Sequence, residues 1–398
     1  MNRNQTIVPV LLALASGACS GDTAVRTAVD AIVRDSAGIR IVENADPALA
    51  PEWRLEPLPL ASIGNGMGDP ALELHDVTGV LLLDDGAIVV ANTGTHEVRL
   101  YSPDGRPLAS AGRAGEGPGE FMGEIQLARM PGDSILAFDW TLRRATVIDR
   151  RGEVSRTIDL RHLDPNVDLR GVTSDCTLIL SLRHLRLSEG VNADSVVFVR
   201  TDSRGAPIDW LGWARLSRVV LRFFDGPPVV DELPFGPQGH AAATTDGLVV
   251  VDGETPAFVV RGDGGDPVTI VRWDAPPPTL TQGSIDHFID WDLSIERAHV
   301  PRATRERWLQ SIVFPAASPA TASLVVDAAA GRVFVEQWRP PWAPGDAAWL
   351  VFASDGRLTA RLAAPDGFDL RAVSGDLVVG LERDALDVEH VRVYRIET

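Results

Sequence analysis

The sequence predicts an all-β chain folded as a six-bladed β-propeller of four-stranded antiparallel blades, with a short helical insertion near 283–312. Three observations lead there. Asp-Gly-type turns recur along the chain in two registers. Short apolar runs, the length of buried strands, adjoin each of them. The turn glycines are also evenly spaced: Gly105 and Gly152 lie 47 residues apart, and Gly152 and Gly205 lie 53 apart. That period suits one four-stranded blade with decorated loops.

The chain opens on a leader. After Arg3, Ile7 to Ala15 is an apolar run too short to span a bilayer and right for a signal peptide. Ser16-Gly17-Ala18 then precedes Cys19, a sequence that resembles a bacterial lipobox, with Ser16 where leucine is usual. The expected organisation is a signal peptide over 1–18, a flexible tether over 19–37 and a propeller over 38–398. Cys19 is the expected lipidated N-terminus. The neighbouring Ser20 resembles the sorting signal for outer-membrane delivery, so the protein is expected to be exported, and outer-membrane-anchored or periplasmic.

Residues 81–121 write out one blade nearly whole. An apolar run reaches Asp84-Asp85-Gly86, Ile88 to Ala91 is a buried strand, and Val98, Leu100 and Tyr101 belong to the next. Pro103-Asp104-Gly105 makes a second turn, and Leu108 to Ala111 is the fourth strand. The first kind of turn recurs before Ile135, Leu178, Leu248, Val333 and Leu377; the second recurs at Gly152, Gly205, Gly265 and Gly356. That gives six turns of the first kind and five of the second. The sixth blade therefore has only three C-terminal strands, ending in Val391–Ile396. Gly38–Glu43 and Trp53–Ile63 are spare N-terminal β segments, and one or both should close the ring.

Residues 283–311 break the β pattern. Ile285, Phe288, Ile289, Leu293 and Ile295 recur near helical spacing, and Ala303 to Ile312 reads as a second short helix holding Trp308 and Leu309. This segment is expected as a helical insertion between blades four and five.

Gly115-Glu-Gly-Pro-Gly-Glu-Phe121, following a turn and a strand, resembles the loops of NHL-repeat propellers, and the chain from about 35 to 396 looks like a six-bladed lipoprotein of that bacterial group. Asp35–Asn44 is similar to its N-terminal strand, and Val333–Arg339 and Val388–Tyr394 to its closing blades. The resemblance implies a fold and no particular chemistry, since the fold hosts many functions.

Composition narrows the function. The 398 residues carry a formal charge of -18 and no lysine at all, so every basic side chain is arginine or histidine. Lysine Schiff-base chemistry and a Walker-type phosphate loop are excluded, and the acidic balance argues against nucleic acid. Cys176 stands alone beside a turn and reads as a small core hydrophobe. The eight histidines form no His-Glu-x-x-His motif, and neither Cys-x-x-Cys nor Gly-x-Ser-x-Gly occurs. No cofactor is expected. The Asp-rich turns have the chemistry for calcium but lie singly. Some gluconolactonase-type propellers hold a metal in the central channel; Glu73, Asp76, Glu120, Glu124 and Gln126 begin inner strands and are the residues that such a reading would use.

In a propeller the tight turns fall on one face and the second-to-third and blade-to-blade loops on the other. Here the long segments 113–123, 183–194, 214–239, 274–320 and 339–347 all fall on that second face, where a rigid scaffold carries its sites. The expected binding residues are Arg113, Glu116, Glu120, Trp213, Arg339 and Trp342, with Arg339 and Trp342 as anchors because arginine and tryptophan dominate interface hot spots. The opposing reading is that these tryptophans pack the loops onto the blades. The expected function is a monomeric binding or interaction module that takes a small ligand or an envelope protein on this face, without nucleic acid. The alternatives are a metal-dependent hydrolase or lactonase, and a structural partner in an envelope complex.

Overall fold

The computed structural model describes residues 31–64, 68–183, 188–223, 229–295 and 301–398. The expected signal peptide, Cys19 and most of the expected tether lie outside them. Four N-terminal strands, β1 (Ile32–Ser36), β2 (Ile39–Asn44), β3 (Glu52–Leu55) and β4 (Ala61–Ile63), precede the repeated part. A first group holds β5 (Val77–Leu82), β6 (Ile88–Asn92), β7 (Glu97–Tyr101) and β8 (Pro107–Ala111). The second holds β9 (Ile125–Arg129), β10 (Ile135–Asp139), β11 (Arg144–Ile148) and β12 (Val154–Asp159). The third holds β13 (Val167–Val172), β14 (Leu178–Arg183), β15 (Gly190–Thr201), β16 (Pro207–Arg222) and β17 (Val229–Glu232). The fourth holds β18 (His240–Ala243), β19 (Leu248–Val251), β20 (Ala257–Arg261) and β21 (Pro267–Trp273), and is followed by helices α1 (Gln282–Ser294) and α2 (Arg302–Ser311). A fifth holds β22 (Thr321–Asp327), β23 (Arg332–Gln337), β24 (Ala347–Phe352) and β25 (Leu358–Ala364), and a sixth β26 (Asp369–Ser374), β27 (Leu377–Arg383) and β28 (Glu389–Glu397).

The fold is all-β and propeller-like. Consecutive strands of each group pair antiparallel, and the first strands touch in the order β5, β9, β13, β18, β22, β26 and back to β5. The turns have a shared cause. Gly152 and Gly205 sit at φ 80° and 88°, a region that glycine adopts without the steric penalty of a side chain. Each donates its N–H to an aspartate carbonyl three residues back. The carboxylates of those aspartates, Asp149 and Asp202, accept two further backbone N–H groups and lock the turn.

The core is layered. One apolar cluster lies between each successive pair of groups, and another between the sixth and the first, where Ile63, Val80, Val90, Tyr101, Val379 and Val391 meet. Strands such as β6 and β10 are buried along their whole length because both faces of the sheet are covered.

The N-terminal strands do more than close one edge. β2 pairs parallel with β21, and β1 pairs with β2 in turn. β3 lies between β25 and β28 and bonds to both. β4 pairs antiparallel with β28, Ile63 opposite Val391. The chain thus runs along the outer edges of the fourth, fifth and sixth groups before the first begins. As a result the sheets hold four to nine hydrogen-bonded strands rather than a uniform four. Residues 32–36, expected within the tether, form β1, because Arg34 reaches Glu43 across the hairpin at 2.8 Å and the backbone finds partners on β2.

Two segments expected as long loops are strands. β15 and β16 pair from Thr201–Pro207 out to Gly190–Leu221, well beyond the other hairpins. The extension has apolar cover to pack against: Val220 is fully buried with Leu233 and with Trp308, Leu309 and Ile312 of the α2 region. The helical insertion stands where expected. Thr281 caps α1, its hydroxyl accepting from Ser284 N at 3.2 Å. Among the described residues no helix is long and apolar enough to cross a membrane.

Candidate functional site

An axial cavity of about 830 Å³ is lined by four of the six first strands, β9, β13, β18 and β22, and residues of the long segments supply most of the rest of its wall. Its size falls in the range of small-molecule sites. The floor is polar. On β13, Val167 and Leu169 point into the buried layer between the second and third groups, so the intervening Asp168 and the following Arg170 face the axis. Gln126 of β9 clamps this strand: its Oε1 accepts from Leu169 N at 2.7 Å and its Nε2 donates to Asp168 Oδ1 at 3.2 Å. Arg170 Nη2 donates to Asp168 Oδ2 at 3.2 Å, and Arg170 Nε donates to Ser181 Oγ at 2.9 Å.

A second pair stands beside the first. Arg183 Nε lies 3.1 Å from Asp194 Oδ2, and the Asp194 side chain is only 1% exposed. Ser217 Oγ also donates to Asp194, at 3.1 Å. Arg170 keeps a fifth of its side-chain surface open, yet the protein encloses it. This burial lowers its pKa; Asp168 opposes the effect and Arg183 adds to it. His240 begins β18 at the same cavity, and burial pushes its pKa down, so the ring is neutral near pH 7. Three polar atoms of lining residues, Arg183 Nε, His240 Nε2 and Trp308 Nε1, are buried without a protein hydrogen-bond partner.

The roof is aromatic. Phe235, Phe288, Trp291, Trp308, Trp338 and Trp342 line it. Phe235 sits at the centre, 5.3 Å from Phe288, 5.8 Å from Trp338 and 6.1 Å from Trp342, centroid to centroid. Its φ is 56°, an uncommon conformation for a bulky side chain. Trp342 stacks on His287 at 5.0 Å and 27°, and lies 5.5 Å from Trp291. Behind this layer α1 and α2 are joined by a buried pair: Arg305 Nη2 and Nε donate to Asp292 Oδ2 at 2.7 and 3.2 Å.

The expected site residues divide. Trp342 lines the cavity and also packs on α1 through His287, Phe288 and Trp291. Arg339 staples its own loop, donating to Ala343 O at 3.0 Å, to Gly345 O and to Asp366 Oδ1 at 2.8 Å. Arg113, Glu116 and Glu120 belong to a self-contained loop away from the cavity. Arg113 pairs with Glu120 at 2.7 Å, Glu120 Oε2 accepts from Gly117 N at 2.6 Å, and Arg144 donates to the carbonyls of Glu116, Gly117 and Glu120. The Gly117 N–H, then Arg113, hold the Glu120 carboxyl below its usual range. Trp213 is exposed on β16 with Arg215 over its ring at 5.9 Å, and lines a separate groove between the third and fourth groups. Cys19 lies outside the described residues. Of the channel residues considered for a metal, Gln126 reaches the cavity, and among the described residues no three His, Cys, Asp or Glu side chains gather as a metal-binding group. Sequence reasoning missed Asp168, Arg170, Arg183 and His240; the signal for the first two was charge alternating with apolar residues in Val167-Asp-Leu-Arg170.

No family model and no curated protein match this sequence. Among solved structures, the chain is similar to a Bacteroides fragilis protein thought to be exported, at 12% identity and TM-score 0.52, over 90% of this chain and 100% of that one. A member of the DUF4221 family from Bacteroides vulgatus gives a TM-score of 0.49 at 10% identity, over 85% and 96%. A gluconolactonase from Xanthomonas campestris gives 0.42 at 13%, over 93% and 99%. The first likeness supports the propeller-like fold alone; the other two are too distant to add to it.

Proposed function

We propose that this protein is an exported six-bladed propeller of the NHL-like type, anchored through lipid on Cys19, that binds a small molecule in its axial cavity. In this reading the signal peptide is 1–18. The six-bladed count is supported by the cyclic contact of six first strands and by the six layered clusters between the groups. Export and anchoring are supported by the apolar run and small residues before Cys19. The observation that carries the binding function is the axial cavity, with charge pairs on its floor and aromatic rings on its roof. Scaffold stability alone does not require it: ion pairs open to solvent typically contribute about 0–1 kcal/mol.

Trp342 is the anchor that touches the ligand, and Arg339 positions it by fixing the 339–345 loop. The floor is read as a binding surface because it offers paired hydrogen-bonding groups. The test is retention of small molecules. Protein equilibrated with a small-molecule extract is desalted, and the bound compounds are read by mass spectrometry. Ala322 lines the cavity from β22, so Ala322→Phe puts an aromatic ring into it and narrows it. Compounds held by the native protein and lost from Ala322→Phe are expected. Identical retention by both, or by neither, refutes the cavity as the site.

A further inference from the structure

We infer that the axial cavity takes a neutral, polyhydroxylated ligand of the saccharide class; this rests on the cavity being a binding site. Charge argues against an anionic ligand, and the mixed hydrogen-bonding capacity of the floor favours a neutral one. Each floor arginine has its own carboxylate: Arg170 with Asp168 at 3.2 Å and Arg183 with Asp194 at 3.1 Å. At the rim, Arg218 pairs with Glu254, and behind the roof Asp292 pairs with Arg305 at 2.7 Å. His240 is neutral, since burial lowers its pKa. These pairs leave no unbalanced positive charge for a carboxylate or phosphate ligand, and the further lining carboxylates Asp231 and Glu232 add to the bias against an anion.

Its hydrogen-bonding capacity is mixed instead. A guanidinium carries five donors and a carboxylate about four acceptor sites. Arg170 spends Nε on Ser181 and Nη2 on Asp168, which leaves Nη1 beside a carboxylate that still has lone pairs. A hydroxyl both donates and accepts, so adjacent hydroxyls on one ring match such a donor–acceptor pair. Gln126 and Ser217 stand next to the two pairs, and Trp308 Nε1 and His240 Nε2 add one donor and one further polar nitrogen without a protein partner. Opposite lie the rings of Phe235, Trp338 and Trp342, whose electron-rich faces suit the C–H face of a sugar ring. A polar floor with an aromatic roof thus matches a ring with hydroxyl edges and a C–H face.

The roof tryptophans report the test directly. Their emission is followed while the native protein is titrated with cellobiose, maltose and chitobiose, then with glucuronate, glucose 6-phosphate and choline. At least one neutral disaccharide is expected to give a saturable change, and the charged probes none at the same concentrations. Asp168→Asn and Arg170→Gln are each expected to weaken that binding at least tenfold, while Arg106→Gln, on an exposed turn, leaves it unchanged. If a floor variant fails to fold, the roof pair replaces it: Trp342→Phe keeps binding and Trp342→Ala loses it. Saturable binding of glucuronate, the phosphate ester or choline in place of the neutral sugars overturns the saccharide class and leaves the cavity as a site. No response to any neutral saccharide overturns the class too, and the Ala322→Phe retention comparison then decides separately whether the cavity binds anything.

Discussion

Asp292→Leu isolates what holds the helical pair over the cavity. In the native protein the Asp292 and Arg305 side chains are 3% and 6% exposed. Arg305 gives two donors to Asp292 and one, Nη1, to Ile295 O at 2.6 Å. Replacing the aspartate leaves a buried guanidinium with a single carbonyl. Removing one partner of a buried pair costs about 3–5 kcal/mol, and about 1.4 kcal/mol is a factor of ten in an equilibrium constant. Opening of α1 and α2 should therefore become about a hundred to several thousand times more frequent. The loss is local, because the layered clusters between the groups contain neither residue. Amide hydrogen exchange reads it: residues 282–294 and 302–311 exchange faster, while β6 and β10 stay protected. The double variant Asp292→Leu/Arg305→Met removes both charges and should recover most of the protection. Unchanged exchange in the helices, or a double variant no better than the single, would refute the reasoning.

Three further outcomes follow from the same structure. Gly64 sits at φ 114° where β4 leaves β28, and a Cβ there would lie 2.1 Å from Glu389 O, so Gly64→Ala should cost at least about 1 kcal/mol in urea unfolding; a neutral result would mean that this edge does not close the ring. Burial, then the charge of Asp369, raises the Glu336 pKa to about 7, from an unfolded value near 4.5. The folded state thus binds the proton more tightly, so this group's contribution is fullest below pH 4.5, falls by up to about 3 kcal/mol as the pH rises to 7, and is flat above; Glu336→Gln should remove that slope from the melting profile, and an unaltered slope would contradict the assignment. Cys19→Ala should move the protein from the membrane fraction to the soluble one, and continued membrane association would refute lipid anchoring.

Much of the fold was legible because turns are local. Asp149 and Asp202 act on residues two and four places away, so their role can be read from four or five letters. The helices at 282–294 and 302–311 were legible for the same reason. What was not legible depends on distant partners. β2 is a short apolar segment whose neighbour, β21, lies more than two hundred residues on, and nothing local says which edge it joins. The β15–β16 extension reads as loop because its apolar residues find their cover only in α2. The site divides likewise. Trp342 was marked by its residue type and its place in the long segment 339–347. Asp168, Arg170, Arg183 and His240 come from β13, β14 and β18, and only ring geometry brings them to one cavity. Arg113 and Glu120 drew notice as exposed charges on a glycine-rich loop, yet they pair with each other and with that loop.

The central claim is that the axial cavity, under its aromatic roof, is where this protein binds. Hydrogen exchange of the native protein with and without a compound recovered in the retention experiment tests it most directly. Protection is expected at 231–240, 282–294, 302–311 and 338–342, with the outer strands at 107–111 and 154–159 unchanged. Protection confined to those outer strands, or to the Trp213 groove, would contradict the account.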